Sequence, residues 1–177
     1  MGLEYKNLDQ RTRTLMLSEI GHDVAAGTLY LSNRLTARGR HDYPDLLRRA
    51  ATVGTDDQLA AEIQSRLNTH DAPRHLPSGG LSAPRAMSSD AHETLAEGEF
   101  NRFYMRALCV RSIEDDISHL IVYRAKAVEH ARPESHRKIG QRIPASALLQ
   151  DLRDHVGIET ALGIPGGPNS GVSVRLP

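Results

Sequence analysis

Between Asp9 and Ala26 apolar residues recur at three- and four-residue spacing, through Leu15, Met16, Ile20 and Val24. That spacing predicts a helix opened by Asp9 as N-cap and ended by Gly27. The next words, TLYLSNRL, place Leu29 and Leu31 on one side of either a short extended piece or a loop pinned by two leucines. Gly39 reads as a break, after which Asp42 and Pro44 predict a second helix through Leu46, Leu47, Ala50 and Ala51 to Gly54. Thr55 and Gln58 have the spacing of a capping box, which opens a third helix through Leu59, Ile63 and Leu67.

Residues 68 to 88 lose all periodicity and carry three prolines and a pair of adjacent glycines, as a linker or a long excursion does. The stretch from Ser89 to Ala127 follows, and it holds both phenylalanines, two of the five tyrosines and the sole cysteine. A core has to be built against it. Asp90 and Glu93 read as a second capping box, and Leu95, Phe100, Phe103, Tyr104, Ala107, Leu108 and Ile113 form the stripe expected to be buried. Glu97, Glu99, Arg102, Arg106 and Arg111 are expected on solvated flanks, where helix ion pairs contribute only about 0.3–0.5 kcal/mol each. Gly98 inside this run costs about 1 kcal/mol relative to alanine. After the acidic knot Glu114, Asp115 and Asp116, the run HLIVYRAKAV predicts a strand at the centre of a small sheet.

Pro133 seeds a short helix stopped by Gly140, and a brief extended piece from Gln141 to Ile143 can pair with that strand. Ser146 opens a last helix burying Leu148, Leu149, Leu152 and Val156, and the alternating VSVRL near the end predicts an edge strand. The fold class that results is α+β and mostly helical. An N-terminal helical unit (1–67) is followed by a long polar linker (68–88) and a C-terminal unit (89–177) whose small sheet packs on two helices.

Composition adds that the core is aliphatic, since aromatic residues are 4% of the chain and tryptophan is missing. A single cysteine, Cys109, excludes an internal disulfide and a cysteine metal cluster, and mid-helix among apolar neighbours it reads as buried filler. No window approaches the roughly 18 consecutive apolar residues of a membrane span, so a cytoplasmic protein without a membrane partner is expected. No histidine pair has helix-facing ligand spacing, His70, Asp71 and His75 read as a solvated polar loop, and GGPNSG lacks the lysine of a P-loop. No metal and no cofactor are expected.

Charge changes the picture more. Formal net charge is +0, yet residues 100–143 hold nine basic against five acidic side chains. Of these and their neighbours, Arg102, Arg106, Tyr123, Arg124, Lys126, Arg132, His136, Arg137, Lys138 and Arg142 are the candidate binding set, for a polyphosphate or a protein partner. No catalytic residue is singled out. With 19 arginines to three lysines the chain has the bias of a GC-rich genome. The expectation is a non-enzymatic subunit of a bacterial or phage assembly. It docks on other subunits or on itself through the linker and the basic centre, with DNA or RNA as a further ligand. The alternative is a nucleic-acid-processing enzyme, such as a metal-independent RNase using Tyr123, Arg124, Lys126 and His136.

Overall fold

A computed structural model describes residues 2–73, 75, 77, 79–128, 133–166 and 170–177. The first helix, α1 (Gln10–Ala26), starts and stops as its sequence requires. The Asp9 carboxylate accepts the Thr12 N–H at 3.0 Å, and Gly27 closes the helix in the left-handed region at φ 68°.

The second helix, α2 (Ala37–Val53), begins five residues before the predicted Asp42 start. Thr36 is the reason: its Oγ1 accepts the Gly39 N–H at 3.0 Å and so opens the helix, leaving Pro44 inside it. Gly39 is no break but a point of close approach, where a Cβ would lie 2.5 Å from the Arg66 carbonyl oxygen. Both the backbone N–H and the hydroxyl of Thr36 donate to that same oxygen. This ties the start of α2 to the 3-10 turn Gln64–Arg66 that ends the third helix, α3 (Asp56–Ile63). Neither capping box forms as a side-chain cap at Thr55 or at Asp90. TLYLSNRL is a loop, fastened by the bridge between Leu35 and Leu67 and by Asn68, which donates to the Arg34, Asn33 and Leu35 carbonyls.

The stretch 68–88 leaves the body and returns. Two short strands, β1 (His70–Asp71) and β2 (Arg85–Ala86), pair antiparallel at its base. The Arg34 guanidinium holds Asp71 at 2.9 Å, and nearly every described side chain between 72 and 86 is exposed.

Helix α4 (Ala91–Glu114) is the axis of the molecule, with α1, α3 and α6 (Ala145–Asp154) packed around it. A three-stranded antiparallel sheet completes the enclosure. Its order is β4-β3-β5, with β3 (His119–Arg124) central between β4 (Arg142–Pro144) and β5 (Val172–Arg175). The short helix α5 (Pro133–Lys138) connects toward β4. One hydrophobic cluster joins Met16 and Ile20 of α1, Leu59 of α3, Phe100 and Leu108 of α4, Val122 of β3 and Leu148 of α6. The protein is therefore a mostly helical α+β fold, about 51% helix.

Enclosure corrects the expectation of a one-sided α4. Glu97, Glu99, Arg102 and Arg106, expected on solvated flanks, are buried, and Arg106 has no exposed surface at all. Ile113, expected inside, is 48% exposed, while its neighbour Ser112 is fully buried. Burial of every face follows from position in the fold, since α4 meets helices on several sides and a sheet on another. No helix among the described residues is long and apolar enough to cross a membrane.

Candidate functional site

The N-terminal half of α4 carries acid, glycine and acid in succession, Glu97, Gly98 and Glu99, and these face a cavity of about 540 Å³. Arg102, one turn further, belongs to the same wall. The lining also includes Tyr30 and Arg34 from the loop after α1, Gly157 to Thr160 after α6, and Ser170 to Val172 at the start of β5. Leu3 adds an edge, since its N–H donates to Asp56 Oδ2 at 2.9 Å and the Glu4 N–H donates to the Ala125 carbonyl at 2.8 Å. Asn101 secures the floor by donating to the Val172 carbonyl at 2.9 Å and accepting from the Ser173 hydroxyl at 2.6 Å.

The charges of the wall are not equally matched. Glu97 is paired with the Lys126 ammonium. Arg102 donates through Nη1 to the His155 carbonyl at 2.6 Å and the Leu152 carbonyl at 3.3 Å, which uses one corner of its guanidinium. Its Nε stands 3.6 Å from Glu99 Oε1, beyond hydrogen-bond range. Arg102 Nε and Glu99 Oε2 are both buried without a hydrogen-bond partner. Burial pushes the Glu99 carboxyl above the ordinary carboxylate range, and Arg102 only partly opposes it. Beside Leu3, burial likewise raises Asp56, to about 6.

A second cluster lies one turn past Arg102 along α4. Arg106 grips Asp23 with two bonds, 2.6 and 2.8 Å, and donates to Glu19 at 2.7 Å. Arg153 of α6 adds bonds of 2.5 and 3.1 Å to Glu19. Burial works to raise both acids, but Arg153 and Arg106 at Glu19, and Arg106 with His22 at Asp23, overcome it and hold both below their ordinary values.

The structure therefore distributes the predicted binding set rather than gathering it. Arg102 lines the cavity, Lys126 adjoins it through Glu97, and Arg124 adjoins it by donating to the carbonyl of Ser170, a wall residue. Arg106 is enclosed in the second cluster, and the Tyr123 hydroxyl donates to the Glu4 carbonyl at 2.5 Å. His136 and Arg137 are exposed on α5, Lys138 donates to the Leu162 carbonyl, and exposed Arg142 reaches His119 Nδ1 at 3.3 Å. Arg132 lies outside the described residues, as does His130. The residues that sequence reasoning passed over are Arg34, Glu97, Gly98 and Glu99. For the last three the signal was present in the word AEGEF, a glycine between two acids in the first half of a helical run, whereas Arg34 carries no local signal.

Among the described residues no group of three or more His, Cys, Asp or Glu side chains is placed to hold a metal ion. No family model matches the chain, and comparison with curated proteins and with solved structures finds no match.

Proposed function

We propose that the protein is a binding module for a small polar molecule held against α4. The observation that supports this reading is the cavity wall itself, where Glu99 and Arg102, ion-paired at 3.6 Å, each keep a buried polar atom, Oε2 and Nε, without a hydrogen-bond partner. A buried polar group left unmet costs about 1–3 kcal/mol, and a ligand that supplies the missing partner recovers much of it. The volume of about 540 Å³ also falls in the range of small-molecule sites. The test is a thermal-shift and native-mass screen of polar metabolite classes against the full chain and a Gly98→Leu variant, whose side chain would occupy the cavity. Some class should raise the melting temperature of the parent and leave the variant unmoved. A screen without any saturable shift would remove this reading.

A second reading is favoured by the excursion at 72–86, whose described residues are almost all exposed and whose base is anchored by Arg34 and the β1–β2 pair. Such an arm suits a cytoplasmic assembly subunit of bacterial or phage type that docks on other subunits or on its own copies. Exposed His136, Arg137 and Arg142 would then offer a limited contact to nucleic acid. Light scattering of the full chain against one lacking residues 72–84 tests the arm. Oligonucleotide binding that weakens steeply with salt tests the basic side chains.

A further inference from the structure

We propose that the ligand of the α4 cavity is a small zwitterion of the α-amino-acid type, with its ammonium on Glu99, its carboxylate on Arg102 and an apolar side chain. This rests on the binding-module reading and narrows it to one chemical class.

The charge pattern of the wall carries the assignment. Glu97, Glu99 and Glu159 face the same space as Arg34 and Arg102. A ligand with a single charge meets attraction from one set and repulsion from the other, and burying an unpaired charge costs several kcal/mol. A molecule with both signs meets neither penalty. Within the two sets, partners already in place select the contacts. Lys126 occupies Glu97, Asp71 occupies Arg34 Nε and Glu159 is exposed to solvent, whereas Glu99 and Arg102 are buried, ion-paired only at 3.6 Å, and hold an acceptor and a donor without a hydrogen-bond partner.

The spacing of that pair fits. Glu99 Oε1 and Arg102 Nε are 3.6 Å apart. In an α-amino acid, standard bond lengths put the ammonium nitrogen roughly 3 Å from the nearer carboxylate oxygen. The two dipoles can therefore lie antiparallel, each ligand charge against its opposite.

The remainder of the cavity accommodates the rest of such a molecule. Tyr30, Leu95, Ile158, Pro165 and Val172 supply apolar wall. Gly98 supplies the opening next to Glu99. A Cβ there would meet nothing within 4 Å, so neither neighbours nor a positive φ demand the glycine, and its absent side chain leaves space in the cavity.

The experiment measures binding of the free zwitterions alanine, valine, leucine, methionine and phenylalanine to the full chain by titration calorimetry and thermal shift. Each is accompanied by its amide (a cation), its N-acetyl form (an anion) and its N-acetyl amide (neutral), and the polar metabolite screen runs alongside. At least one free amino acid should bind saturably, with each blocked form at least tenfold weaker. Binding should be lost in Gly98→Leu and reduced at least tenfold in Glu99→Gln, with Gly98→Ala as a control for folding. A blocked form binding as well as its parent overturns the zwitterion. So does binding confined to another polar class, and in both cases the cavity reading survives. Silence across the amino acids and the whole screen removes both.

Discussion

Two sets of buried charges sit one turn apart on the same helix and are resolved in opposite ways. Around Arg106, every strong donor direction finds a carboxylate oxygen of Glu19 or Asp23, and Arg153 closes the set from α6. Around Arg102, carbonyls take one corner of the guanidinium while its Nε and Glu99 Oε2 have no partner. Desolvating a charge costs several kcal/mol whichever cluster it joins, so the two differ in how far bonds offset that cost. The satisfied cluster couples α1, α4 and α6 into one body. The unsatisfied one borders the cavity.

The largest expected effect breaks the satisfied cluster. Arg106→Met leaves Glu19 and Asp23 buried without their main partner and should cost about 3–5 kcal/mol in chemical denaturation. The acid side should change with it. Both carboxyls are held below their ordinary values in the folded state, so their contribution is complete above the unfolded carboxylate range and is lost as pH falls through the folded values. Denaturation midpoints measured downward from neutral pH should fall more steeply for the parent than for Arg106→Met.

A smaller effect of opposite sign is expected at the unsatisfied cluster. The Glu99 carboxyl is raised in the folded state, so its ionisation opposes folding as pH rises through and beyond the ordinary carboxylate range. Glu99→Gln should therefore be more stable than the parent at pH 8, by about 1–3 kcal/mol. The difference should shrink as pH falls toward the acid end. A variant less stable than the parent at pH 8 would mean that Glu99 is matched to Arg102 as fully as Glu19 is to Arg106, and the comparison would dissolve.

The smallest effect concerns Gly98, which faces open space. Gly98→Ala should add about 1 kcal/mol through helix propensity, read as a rise in melting temperature of about 2–4 °C. A loss of stability would show that the space is needed by the fold itself.

Much of the fold was legible along the chain because it is written in local terms. Asp9 and Gly27 bound α1 as a cap and a left-handed stop do, the β-branched run at 119–124 forms the central strand, and VSVRL supplies β5. The start of α2 was misplaced because Asp42 and Pro44 make a strong local signal, while the signal that prevails is Thr36. Its hydroxyl and N–H are engaged with Arg66, thirty residues away. The site was legible only in part. Arg102 was in view as a basic residue, but Glu97 and Glu99 read as solvated flank charges, which is the ordinary fate of acids beside arginines on a helix.

By itself the sequence determined the order of the helices and of the three strands β3, β4 and β5, the aliphatic core and the concentration of basic residues in the middle third, since periodicity, caps and composition act over a few residues. Tertiary structure alone decided which of those charges are buried, which are matched and which border the cavity. That outcome depends on how Glu19, Asp23, Lys126 and Arg153 converge on α4 from distant parts of the chain. A buried charge is governed by the partners within a few ångströms of it, and those partners are chosen by packing.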